Sequence, residues 1–101
     1  MPYIDAGERA KLDNKIDTLS HEIKLIDGKT EANVDNAGRL NYAITRLCLG
    51  VFPHRKYWVI ALVCDVLVNV MLEYYRRLAA PYEDTKIAAN GDVHGYDTPT
   101  V

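Results

Sequence analysis

From Tyr57 to Leu72 the chain reads YWVIALVCDVLVNVML, apolar on almost every side of a helix, with Asp65 and Asn69 one turn apart inside it. A helix that is apolar all round has to be covered all round, by a large core or by an assembly. With 101 residues in total, the other helices can hardly surround it. The missing cover is therefore expected from a second copy of the chain or another partner. The β-branched residues of VIALVCDVLVNV also suit a strand. Unbroken length and continuation into MLEYYRRLAA decide for a helix, from about residue 55 to residue 79.

A hydrophobic fraction of 49% and a charged fraction of 26% suit one small globular domain, expected over residues 1–94 with a flexible tail at 95–101. Net charge is -2 and no basic block is present, which disfavours duplex nucleic acid, whose binding comes mainly from clustered Lys and Arg. Cys48 and Cys64 fall in apolar helical stretches and read as buried free thiols, in keeping with a reducing compartment. MPYIDAGERAK lacks the apolar run of a secretory signal. The run from Tyr57 is about 16 residues, against the roughly 20 that cross a bilayer. Asp65 at mid-membrane would cost about 2.5–3.5 kcal/mol. The expectation is a soluble, cytoplasmic protein without a membrane partner.

Helical punctuation organises the rest. Asp5 with Glu8 resembles a capping box, and Leu12, Ile16, Leu19 and Ile23 follow at spacings of four, three and four. That narrow seam packs against one neighbour, coiled-coil fashion. Asp27 and Gly28 stop it, and DGKTEANVDNAG reads as a polar, unpatterned connection. A second helix is expected to begin after Asp35 or Asn36 and run to about Val51, with Leu40, Ile44, Leu47 and Val51 in its apolar row and Pro53 behind it. Pro81 suits the first turn of a short C-terminal helix that Asn90 and Gly91 stop. The fold class is thus all-α: a small bundle of three main helices plus a short C-terminal one, homo-oligomeric.

Two groups of residues carry candidate chemistry. Asp65, Asn69, Glu73 and Arg77 recur every four residues as one polar stripe, in which Glu73 and Arg77 form a surface pair. Asp65 and Asn69 lie among apolar neighbours, and a buried carboxylate needs a partner such as Arg46, Tyr42 or Asn41. Three readings stay open: a network that sets register or oligomer contacts, a ligand site that includes Asn41 and Thr45, or catalysis. The second group is Tyr74, Tyr75, Arg76, Arg77, Tyr82, Glu83, Asp84, Lys86 and Asp92. Arg76, Arg77 and Lys86 beside Tyr75 and Tyr82 can hold a phosphate and stack on a base, because guanidinium forks pair with anions. The same residues can instead tie the terminal helix back through ion pairs, and Glu73, Glu83 and Asp84 are weak candidates for Mg²⁺. No glycine-rich phosphate loop, CxxC pair or HExxH is present, and His21, His54 and His94 are scattered. Ser20 stands beside His21, but adjacent helical residues point apart, so they make no nucleophile and base.

Pro2–Ile4 (PYI), Leu40–Thr45 (LNYAIT), Tyr75–Arg77 (YRR), Pro81–Ile87 (PYEDTKI) and Asn90–Val93 (NGDV) together resemble a family of small helical proteins of phages and prophage regions. The resemblance covers most of the chain apart from the connection after Ile26 and the last residues. It implies a phage or prophage origin and a bacterial cytoplasm, and it brings no activity with it. The Val-rich middle of the third helix carries none of these motifs. The expected function is a non-enzymatic binding protein, acting as a homo-oligomer on a host protein or a nucleotide-like anionic signal, as in counter-defence. It needs no cofactor. Two alternatives are an all-helical, Mg²⁺-dependent nucleotide pyrophosphohydrolase and a phage structural or scaffold component.

Overall fold

The computed structural model describes residues 2–29 and 31–98; the rest of the expected tail, 99–101, lies outside them. Every regular element among them is helical: α1 (Ala6–Leu25), α2 (Asp35–Val51), α3 (Tyr57–Tyr74), a five-residue π turn (Tyr75–Ala79) and α4 (Ala80–Asn90). The chain divides into two compact units, 1–63 and 64–101.

In the first unit, α1 starts where Asp5, in extended backbone, accepts a hydrogen bond from the Glu8 amide at 2.9 Å. This satisfies one of the amides that a helix start leaves unpaired. Gly28 follows α1 at φ 69°, a left-handed conformation that costs glycine no Cβ clash. α2 packs against α1 and ends at Phe52, before Pro53, with the Phe52 amide on the Cys48 carbonyl at 3.0 Å. Val59, 2% exposed, is the one buried hydrophobic residue among the described residues. Ile44, Cys48, Phe52, Ala61 and Val63 are half-buried.

The connection between α1 and α2 is more ordered than its composition suggests. Asp27 Oδ2 accepts from Arg39 Nη1 at 2.8 Å and from Asn33 Nδ2 at 2.6 Å, while Asp27 Oδ1 accepts from the Lys29 amide at 3.2 Å. Arg39 Nη1 also donates to Asn36 Oδ1 at 2.8 Å, and the Asp35 amide donates to Asn33 Oδ1 at 3.0 Å. One carboxylate thus gathers three segments of chain. Its pKa is lowered from 3.8 to about 2, first by the Arg39 hydrogen bond and next by the Lys29 amide, because all of these donors favour the ionised form.

In the second unit the expected break before the short terminal helix is absent. The helix continues through the π turn into α4, where Pro81 sits in the first turn. Proline has no N–H and its ring collides with the carbonyl four residues back in a regular helix. The wider turn, closed by the Ala80 amide on the Tyr75 carbonyl, makes room for it. α4 stops at Gly91, φ 89°, whose amide reaches the Ile87 carbonyl at 2.8 Å. Of the expected tail, residues 95 and 96 belong to a turn over 94–96 and residues 97 and 98 bend, with the Gly95 amide donating to Asp97 Oδ1 at 3.1 Å.

Candidate functional site

α1 and α2 leave an open, largely apolar groove of about 690 Å³ between them. Leu19, Ile23 and Ile26 line it from α1 and the segment just past it, Ala43 and Leu47 from α2, with Glu22, Arg39, Tyr42 and Arg46 also along it. Arg46 donates from Nη1 to the Tyr42 hydroxyl at 3.1 Å, and its guanidinium carbon is 5.9 Å from the Tyr42 ring centroid. Asn41 and Thr45 lie beside this pair on α2. The Thr45 hydroxyl donates to the Asn41 carbonyl at 2.8 Å, so this couple is engaged within its own helix. Ahead of the groove the seam of α1 continues uncovered: Leu12 is 46% and Ile16 53% exposed.

In the second unit, Val66, Leu67, Val68, Val70, Met71 and Leu72 are each between 41% and 62% exposed. At 3.6 residues per turn these six occupy every side of α3 except the stripe that carries Asp65 and Asn69. Asp65 and Asn69 are themselves exposed and have no side-chain partner among the described residues. The second unit by itself does not supply the burial that their apolar neighbourhood implies. Cys64, read from sequence as buried, is exposed for the same reason, whereas Cys48 on α2 is half-buried.

Of the C-terminal cations, Arg76 and Lys86 are engaged along their own helix. Arg76 donates from Nε to Glu73 Oε1 at 3.1 Å and from Nη2 to the same oxygen. Glu73 thus pairs with Arg76 in place of the expected Arg77, since residues three apart are also neighbours on a helix. Lys86 Nζ lies 5.4 Å from the Tyr82 ring centroid, a cation over an aromatic face. Tyr75, Arg77, Glu83 and Asp84 are exposed. The described residues bring together no group of three or more His, Cys, Asp or Glu side chains that fits a metal ion.

Sequence reasoning passed over the Asp27 cluster as a plain connection. Its signal was present in Asp27, Asn33, Asn36 and Arg39, types that bond to nearby backbone and to each other in turns. It also set the apolar run near Tyr57 against the length of a bilayer and found it short. The helical stretch Tyr57–Asn90 spans 34 residues and is long and apolar enough to cross a membrane by length and composition, with 6% of its most apolar window buried.

A family described as a domain of unknown function, DUF6899, matches residues 1–93. The chain belongs to that family. The match takes in α1 to α4 and the residues that carry the groove, the polar stripe and the cationic cluster. No curated protein and no solved structure matches the chain.

Proposed function

We propose that this member of the family is a non-enzymatic binding protein that works as an assembly of its own copies. In this reading it is phage-encoded and acts in the bacterial cytoplasm on a host protein or a nucleotide-like anion. One observation carries the assembly: six large apolar side chains of α3 are 41–62% exposed in the single chain. Being about half exposed, each such side chain contributes to an association about half of the roughly 1.5–3 kcal/mol that full burial from water gives. An unpartnered patch of this kind marks an interaction surface rather than an ordinary face.

The ligand half of the reading rests on Arg76, Arg77 and Lys86 interleaved with Tyr75 and Tyr82, cations and aromatic faces suited to phosphate and base. The hydrolase alternative has less support, because Glu73 is engaged by Arg76. Native mass spectrometry of the purified protein tests the assembly half. The expected result is a defined multimer, with or without a retained small anion; a monomer throughout overturns the proposal.

A second reading has its own observation. Arg55 and Lys56 precede Tyr57 and Trp58, and Tyr74 and Tyr75 precede Arg76 and Arg77, so aromatic and cationic residues bracket the apolar stretch. Such brackets occur at the two interfaces of a membrane helix. Asp65 argues against it, at about 2.5–3.5 kcal/mol near a bilayer centre. Fractionation decides: protein that stays with membranes through a carbonate wash supports the membrane reading, and protein in the supernatant supports the assembly.

A further inference from the structure

The groove between α1 and α2 is open and apolar, while the same helix α1 carries an unused apolar seam just ahead of it. Leu12 and Ile16, 46% and 53% exposed, continue the four-three spacing that Leu19 and Ile23 bring into the groove. Apart from Leu25 at its C-terminal end, the large apolar side chains of α1 all lie on this line, so it is the line that gains most from leaving water.

We propose that the N-terminal half of α1 from a second copy fills this groove, antiparallel to the first α1, and that the two copies exchange this contact reciprocally. A two-fold axis level with the interval between Ile16 and Leu19 sets Leu12 of one copy against Ile23 of the other, and Ile16 against Leu19. An isologous interface then makes each contact twice. The charges beside the seam agree with this register. Lys15 of each copy comes beside Glu22 of the other, and Asp13 and Asp17 of the inserted half approach the side on which Arg46 lines the groove. Parallel packing instead offsets flanking positions by five residues, which brings Glu8 to Asp13 and Glu22 to Asp27, like charges in both cases. The side chains of Lys15, Asp13 and Asp17 have no partner among the described residues of the single chain. This inference rests on the proposed assembly and names one of its interfaces.

Lys15 and Glu22 are two turns apart on one helix and cannot meet within a copy, so a charge swap reports contact between copies. Sedimentation equilibrium at low salt is the assay, on K15E, E22K, the double variant K15E/E22K and I16K. Each single reversal is expected to weaken association at least fivefold, the double variant to return within twofold of the wild type, and I16K to abolish this contact. No rescue in the double variant, or association of I16K as tight as the wild type, overturns the α1 interface while leaving an assembly through α3 standing. A wild-type protein that is monomeric in solution, or recovered only with membranes, overturns the interface and the proposed assembly together. Far-ultraviolet circular dichroism of each variant confirms that its helices are intact.

Discussion

Leu72→Ala separates a covered α3 from one that faces water. Leu72 sits in the last turn of α3 and is 54% exposed in the single chain. Truncating a fully buried leucine to alanine costs about 2–5 kcal/mol, including the cavity left behind. About half of that burial remains to be made on association, so each side chain contributes roughly 1–2.5 kcal/mol to it. A dimer has two such side chains, and the loss becomes about 2–5 kcal/mol. At 1.4 kcal/mol per factor of ten, the dissociation constant rises roughly thirtyfold to several thousandfold. Helix propensity does not confuse the result, because leucine and alanine are both strong helix formers. Sedimentation equilibrium over a dilution series measures the change, with Val34→Ala as the control. Val34 is 89% exposed between α1 and α2, and its truncation is expected to leave association within about 0.5 kcal/mol of the wild type. If Leu72→Ala associates as tightly as the wild type, the cover on α3 does not include this side and the argument from its exposure fails.

Three further outcomes are expected. The Asp27 pKa is depressed from 3.8 to about 2, so its stabilising contribution is fully present above about pH 5 and is lost as pH falls through about 2. Thermal melts between pH 2 and pH 6 are expected to lose part of their acid dependence in Asp27→Asn; an unchanged profile refutes the assignment. Arg39→Ala releases the same clasp, and limited proteolysis near Gly28 is expected to quicken by several-fold, with an unaltered rate counting against it. Arg76→Ala with Arg77→Ala is expected to remove any thermal shift produced by nucleotides, and a shift of wild-type size in that double variant removes the proposed phosphate site.

The helices were legible because their signals are local. The Leu12–Ile23 seam, the stops at Gly28 and Gly91 and the length of the apolar run each depend on residues within a few turns, where backbone geometry and helical period decide the outcome. The continuation past Pro81 was not legible, because whether proline breaks a helix or is carried by a wider turn depends on how the preceding turn closes. The Asp27 cluster escaped for a related reason. Its ion pair joins residues 12 apart, and their meeting depends on the path of a connection that has no periodicity.

Sequence alone determined that the protein is helical and that one of its helices is apolar on almost every side, since composition and helical period are fixed whatever the neighbours are. Tertiary structure alone decided where the cover stops. α1 and α2 shelter only part of each other's apolar rows, an open groove lies beside an unused seam, and Val59 alone among the described residues is buried. Burial is a property of neighbours in space, and those neighbours come from contacts that no run of adjacent residues encodes.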